Sequence, residues 1–158
     1  MATRNNKVNL DVSERLDITC RRGDSFSLTV TLKDSSGTAL PLLTDEYSFV
    51  MQVRVNQAAA RAKGTAGLVL STVEKGPKAV NRDGTRRSFE TFTLDNNGNV
   101  TITATAETMR KIPGGNYIYD LQQIKPNTIT GNDEHTTVLR GNFVVNEDIS
   151  DASNLGRR

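Results

Sequence analysis

The chain holds few side chains that could do chemistry, and they do not gather into a motif. His135 is the only histidine, and it follows Asp133 and Glu134, so a carboxylate–histidine pair is conceivable. No nucleophile signature accompanies this pair, and a zinc site would need further His or Cys ligands. We therefore expect His135 to lie in an exposed loop, and we predict no catalytic residue and no metal site.

The other reactive or ligand-forming residues have structural explanations. Cys20 is the only cysteine, so a disulfide within the chain is impossible, and it is either a small buried side chain or an interchain thiol. The carboxylates of Asp45, Glu46 and Asp95 fall where turns favour acidic residues. The stretch DNNGN at 95–99 lacks the spacing of a calcium loop, and no glycine-rich phosphate motif occurs. We predict no cofactor and no small-molecule substrate.

Composition indicates one domain with a modest aliphatic core. Hydrophobic residues make up 35% of 158 residues, and tryptophan is absent. The 20 basic and 18 acidic residues nearly cancel, which argues against nucleic-acid binding through bulk charge. We expect no membrane association, because the sequence has no run of 18 apolar residues and its first residues lack the apolar stretch of a signal peptide.

Alternation of apolar and polar residues predicts strands with one buried face. Between Arg22 and Arg54 it predicts two strands, over 25–33 and 47–55, separated by the turn DSSG at 34–37. Further strands are predicted over 68–73, 89–94, 100–104 and 116–124, with a last strand or strand pair over 135–146. Strands 89–94 and 100–104 should form a hairpin around the turn at 95–99. Thr105 should cap a short helix near 105–112, which the PGG sequence at 113–115 ends. These elements predict an all-β, antiparallel sandwich of about seven to nine strands.

The predicted domain spans 10–150, with a flexible N-terminal arm at 1–9 and a C-terminal tail at 151–158. A basic insert at about 57–88 interrupts it and could form a hairpin arm with Asp83-Gly84 at its tip. Basic residues in the arm, the insert and the tail are the candidate partner-binding residues. They are Arg4, Lys7, Lys75, Lys78, Arg82, Arg86, Arg87, Arg157 and Arg158.

Three segments, taken in order, resemble a known family. They are RRGDSFSLTVTLKDSSG with YSFVMQVR, then GNVTI leading to AETMRKIPGGNYIYDLQ, and finally VLRGNFVVNEDIS. This series resembles the small Ig-like β-sandwich domain of virion structural proteins of tailed bacteriophages. Such domains occur at the N-terminus of baseplate upper proteins and in stand-alone tail, neck or head accessory proteins. The residues that carry the pattern are Gly23-Asp24, Tyr119-Asp120-Leu121, Gly141 and Phe143, and the insert at 57–88 is longer than a minimal member needs.

The resemblance implies assembly without catalysis. The expected protein is an Ig-like virion component, made in the bacterial cytoplasm, that joins or stabilises larger subunits of the tail, baseplate or neck in many copies. Its partners would be tail, neck, baseplate or major capsid subunits. Two alternatives remain open: a capsid decoration protein on the head, and a receptor- or carbohydrate-binding β-sandwich module.

Overall fold

A computed structural model describes residues 13–58, 67–72, 79–80, 86–127 and 129–147 of a chain that is mostly β. The first strands are β1 (Glu14–Arg15), β2 (Ile18–Arg21), β3 (Phe26–Thr31), β4 (Ser48–Arg54), β5 (Leu68–Ser71), β6 (Ala79–Val80) and β7 (Arg86–Arg87). The remaining elements are β8 (Thr91–Leu94), β9 (Asn99–Ala104), helix α1 (Ala106–Arg110), β10 (Gly115–Lys125) and β11 (Glu134–Asn146). The main predicted strands and the helix are found within two residues at each end. The described residues hold eleven strands rather than seven to nine, because the short strands β1, β2, β6 and β7 add to the seven ranges predicted as strands.

The strands form one mixed sheet and one antiparallel sheet, with a separate two-stranded pair. The mixed sheet has the order β1-β11-β10-β4-β5, with β2 also paired to β11. The antiparallel sheet has the order β3-β9-β8. The prediction of a wholly antiparallel fold was wrong for the larger sheet, because β1 and β2 both run parallel to β11. Parallel neighbours need a long connection between them, and here most of the chain supplies it.

The two strands between Arg22 and Arg54 lie in different sheets. After β3, the chain turns at 34–37 and makes an isolated bridge between Lys33 and Ala39. It then crosses to the mixed sheet, where β4 pairs with β10 and β5. Leu42 and Tyr47 are buried in this crossing. The sequence alternation was therefore right about the buried faces but said nothing about which sheet each strand joins.

The predicted hairpin of β8 and β9 is confirmed, with Leu94 opposite Val100. In its turn, the carboxylate of Asp95 accepts hydrogen bonds from the backbone amides of Asn97 (2.8 Å) and Asn99 (3.0 Å). These bonds hold the pKa of Asp95 below its ordinary value. Gly98 has a φ of 78°, and a Cβ there would lie 2.3 Å from the backbone oxygen of Leu32. Only glycine fits this position without strain.

Helix α1 is capped as predicted and also receives support from a carboxylate outside the helix. The Thr105 hydroxyl accepts a hydrogen bond from the Thr108 amide. The Oε1 atom of Glu90 accepts from the Thr105 amide (3.0 Å), the Thr105 hydroxyl (3.0 Å) and the Thr108 hydroxyl (2.5 Å). Partial burial favours a raised pKa for Glu90, but these hydrogen bonds and the nearby charge of Lys111 hold that pKa below its ordinary value.

The two larger sheets share one apolar core. The ring centroids of Phe26 on β3 and Phe143 on β11 are 5.6 Å apart. Those of Phe49 on β4 and Phe92 on β8 are 6.2 Å apart. Further buried side chains come from both sheets, from α1 and from the crossing segment, among them Leu42, Met51, Val100, Ile102, Met109 and Leu121. Burial of these faces against each other is the main term that stabilises the domain.

The region predicted as a basic insert contributes to the mixed sheet. All four residues of β5 are buried, and β5 is the last strand in that sheet's order. Strands β6 and β7 pair antiparallel, as a hairpin requires, with Ala79 opposite Arg87. The predicted tip at Asp83-Gly84, the arm at 1–9 and the tail at 151–158 lie outside the described residues.

Candidate functional site

Most of the predicted partner-binding residues lie outside the described residues. These are Arg4, Lys7, Lys75, Lys78, Arg82, Arg157 and Arg158. The other two, Arg86 and Arg87, form β7, and their backbone pairs with β6. The structure therefore places two of the nine predicted partner-binding residues in a strand pair. That they contact a partner stays a prediction.

The two residues considered for reactivity occupy unremarkable positions. His135 lies in β11 and not in a loop, with Ile124 opposite it on β10, and its side chain is exposed as expected. Cys20 is half-buried in β2, and burial together with the charge of Asp24 raises the pKa of its thiol to about 11. A thiol with so high a pKa is a poor nucleophile at neutral pH.

Two of the residues on which the resemblance rests, Tyr119 and Gly141, meet at the link between β1 and β2. The hydroxyl of Tyr119 donates to the backbone oxygen of Leu16 at 2.5 Å. A Cβ on Gly141 would lie 2.3 Å from that same oxygen, so glycine permits the close approach. The amide of Asn142 donates to the Asp17 carboxylate at 2.9 Å, and with Arg15 it holds the pKa of Asp17 below its ordinary value. Burial and the charge of Asp17 raise the pKa of Tyr119 to about 12.

Side-chain hydrogen bonds and an ion pair also hold the segment beside Gly23 in place. The Arg22 guanidinium donates through Nε to the backbone oxygen of Arg110 (2.8 Å), at the C-terminal end of α1. Its Nη1 pairs with the Glu147 carboxylate at 3.2 Å. The other carboxylate oxygen of Glu147 accepts from the Gly114 amide at 2.8 Å. Arg22 therefore ties the helix to the end of β11, a structural role that its position beside a turn did not reveal.

A groove of about 660 Å³ lies on the mixed sheet, and we call it the polar groove. Strands β1, β4, β10 and β11 supply most of its lining. The lining residues are Ser13, Arg15, Val50, Gln52, Arg54, Gln57, Ile118, Tyr119, Asp120, Gln122, Ile124, His135, Thr137, Arg140, Gly141 and Asn142. Most carry polar or charged side chains, so the groove is suited to a polar ligand.

A row of polar residues crosses the sheet within this groove. Arg140 pairs in register with Arg15 on one side and with Asp120 on the other. Asp120 in turn pairs with Gln52 on β4. Directly paired residues project to the same face with their Cβ atoms about 5 Å apart. The row therefore brings two guanidinium groups, a carboxylate and an amide into one band, although they are far apart in the sequence.

Arg54 forms part of the wall of the groove. The residue is 6% exposed, and its Nη2 donates to the Gln52 side-chain oxygen at 3.1 Å. A charge held in a wall that excludes water acts on nearby charges more strongly than one in bulk solvent. Nearby, the Nε of Arg140 donates to the Ser13 hydroxyl at 3.0 Å, which helps to orient that guanidinium.

The carboxylate and the imidazole of the groove lie at different levels of the sheet. Asp120 pairs with Arg140, whereas His135 lies opposite Ile124, four residues further along β10. At about 3.3 Å per residue, these positions are about 13 Å apart along the strand, too far for a direct carboxylate–histidine pair. Guanidinium and amide groups are hydrogen-bond donors suited to carboxylates and to peptide carbonyl groups.

Sequence reasoning missed the groove residues because each has the character of an ordinary solvent-facing strand residue. One signal was available: β4 and β10 carry Gln52, Arg54, Asp120 and Gln122 on one parity. At the end of β4 that holds Arg54, residues on both faces of the strand are largely buried. A charged residue at such a position is uncommon. That the four positions lie side by side follows from strand pairing, which the alternation does not specify.

Within the ranges that the structure describes, no group of three or more His, Cys, Asp or Glu residues could hold a metal ion. In the same ranges, no helix has the length and hydropathy needed to cross a membrane. No model of a known protein family matches the chain, and no curated protein is significantly similar to it in sequence.

Proposed function

We propose that this chain is a non-enzymatic structural protein of a tailed-phage virion, an Ig-like β-sandwich that joins or stabilises larger subunits of the tail, baseplate or neck. The observation that carries the proposal is the convergence of the pattern-bearing residues. Tyr119 and Gly141 both contact the backbone oxygen of Leu16, and Phe143 packs against the rings of Phe26 and Tyr119. Residues that resemble the family in three separate segments thus share one structural unit.

Two sheets with a common core support the sandwich part of this proposal. Unpaired edges of such sheets can accept a strand from a neighbour. If many copies bound to one particle, weak individual contacts would together hold the protein on the particle. The polar groove adds a surface for a partner.

The test is to locate the protein on purified particles. Mass spectrometry of washed virions should find it in stoichiometric amounts, and cryo-electron microscopy should place it at the tail, baseplate or neck. Density on the head would select the capsid decoration role instead. Absence from the particle, together with saccharide binding by the isolated protein, would refute the proposal in favour of the receptor-binding alternative. A hydrolase activity lost in His135→Ala would refute it in favour of an enzyme.

A further inference from the structure

We propose that the outer edge of β3 is a docking site for an extended segment of a second copy of this chain, namely its residues 8–12. Among the described residues, no strand fills the position beside β3 and above β2, which we call the strand gap. The inference goes beyond the virion role, because the contact joins two copies of the chain and requires no other component. It rests on the backbone edge of the gap, its apolar walls and its width.

The outer edge of β3 presents unpaired backbone groups. β3 is the last strand of the antiparallel sheet, and its strand partner among the described residues is β9 alone. Just after β3, the amide of Leu32 donates to the backbone oxygen of Gly98 at 2.8 Å, on the side of β9. Because backbone groups alternate in direction along an antiparallel ladder, Ser27, Thr29 and Thr31 direct theirs away from β9. β3 also lacks the charges and the proline that usually protect an exposed edge.

Two apolar walls flank this edge, and neither is fully covered. On β3, Leu28 and Val30 pack against the core but stay partly exposed, whereas the residues opposite them on β9 are completely buried. On β2, Ile18 and Cys20 also pack against the core and are likewise only half-buried. An apolar strand in the gap would remove the exposed parts of these four side chains from water, which favours its binding.

The two sheets end at different positions, which leaves room for one strand. The ring centroids of Phe26 and Phe143 are 5.6 Å apart, so β3 lies over β11. β2 pairs with β11 on the side away from β10 and therefore extends beyond β3. Strands are about 4.8 Å apart in both sheets, so a further strand beside β3 would lie over β2. A second copy could not place its own β3 there, because the β11 beneath that strand would meet β2. A single extended segment fits.

Residues 8–12 have the pattern that the gap requires. Their sequence, VNLDV, alternates three apolar residues with two polar ones, so an extended segment has one apolar face and one polar face. In an antiparallel register with Asn9 opposite Thr29, Leu10 would lie opposite Leu28. Directly opposite residues share a face, so the apolar side chains would enter the gap and the polar ones would lie beside the exposed hydroxyl groups of β3.

A second copy can supply this segment more completely than the same chain can. The described chain begins at Ser13, directly before β1 in the mixed sheet. The sheets of a sandwich are about 10 Å apart, a distance that takes about three residues to cross. Within one chain, only Val8 and Leu10 would therefore reach the gap, whereas a second copy can present all three apolar residues. Because the segment and the edge are different surfaces, the contact is head-to-tail and can continue from copy to copy.

Sedimentation equilibrium of the full chain tests the proposal. The parent chain should associate as its concentration rises, to masses beyond that of a dimer. Leu10→Asp places a charge in the apolar gap and should weaken association at least about tenfold. Asn9→Asp adds the same charge on the polar face and should change association less than about twofold. Thr29→Pro removes an outward N–H group and should weaken association about tenfold, whereas Thr29→Val keeps that group and should change it less than about twofold.

A mixture of two variants shows which parts meet. Leu10→Asp retains the edge and Thr29→Pro retains the segment, so each should be monomeric at concentrations where the parent associates. Together they should form a 1:1 dimer that grows no further. Melting curves check that each variant is folded. If Thr29→Pro does not fold, Leu10→Asp and Asn9→Asp still decide the question, because both positions precede the described domain.

Three results would overturn the inference. They are a parent chain that stays monomeric at about 0.5 mM, equal weakening within either pair of matched variants, or a mixture of folded variants that does not dimerise. The virion role is tested separately. A protein found on particles but monomeric in solution would contradict only the strand gap. A protein that associates in this way but is absent from particles would contradict only the virion role.

Discussion

Gly141→Ala probes the junction where β11 meets the link between β1 and β2. The added Cβ would lie 2.3 Å from the backbone oxygen of Leu16, whereas real Cβ contacts stay beyond 3.0 Å, so the link must move by at least 0.7 Å (3.0 − 2.3). That movement strains the 2.5 Å hydrogen bond from the Tyr119 hydroxyl. Overpacking costs about 1–3 kcal/mol, and a weakened hydrogen bond adds about 1 kcal/mol. We expect a total loss of about 2–4 kcal/mol in the free energy of unfolding.

Urea titration and thermal melting followed by circular dichroism measure this loss directly. At about 2–4 °C per kcal/mol for a domain of this size, the melting temperature should fall by about 5–15 °C. Gly115→Ala is the matched control, because its Cβ would come no closer than 3.7 Å to any atom of Tyr117. That variant should stay within about 0.5 kcal/mol of the parent. If Gly141→Ala were as stable as Gly115→Ala, the close approach of Leu16 to β11 would be wrong.

Three further experiments test the carboxylate that supports the helix cap, the thiol and the core. Glu90→Gln should lower the free energy of unfolding by about 1 kcal/mol at pH 7, as the loss of a helix cap does. Because the folded pKa of Glu90 is lowered, its contribution to stability is present above pH 4.5 and disappears as the pH falls. The melting temperature of this variant should therefore depend less on acid pH than that of Glu107→Gln. The Cys20 thiol, with its pKa raised from 9.0 to about 11, should react with a disulfide reagent at pH 8 at least about tenfold more slowly in the folded than in the urea-unfolded chain. Equal rates would show that it is exposed. Phe143→Ala should cost about 3–5 kcal/mol in urea titrations and Phe143→Leu clearly less, since Phe143 is fully buried between the sheets and leucine fills part of its space. Similar losses in the two variants would mean that the contacts of the ring, and not the volume it fills, stabilise the core.

Features set by neighbouring residues were predictable from the sequence. Asp95 determines a tight turn, and Thr105 determines the start of α1, because the amides that they accept from lie within four residues. The buried faces of β3 and β10 followed from alternation, which depends only on the pleat of the strand. In each case, the physical cause is contained in a short segment.

Long-range pairing could not be predicted in the same way. Ile18 pairs with Phe143, and nothing near either residue specifies the other. Alternation gives a strand's buried face but not its neighbour or direction, so the parallel edge of the mixed sheet was missed. The polar groove shares this limit, since Arg15, Gln52 and Arg140 become neighbours only through the register of four strands.

The parallel pairing of β2 with β11 also determines how the domain would bear tension. Ser13 precedes the paired segment near the middle of β11, and Glu147 follows its far end, so a pull on these two points slides β1 and β2 along β11. In this shear geometry, the hydrogen bonds across the interface share the load, whereas a peeling geometry would break them one at a time. A component that links larger subunits through its two ends would therefore resist extension at the seam between its first and last strands. Single-molecule stretching from residues 13 and 147 should need more force than stretching from residues 14 and 139, which are paired across the seam and would peel it apart from one end.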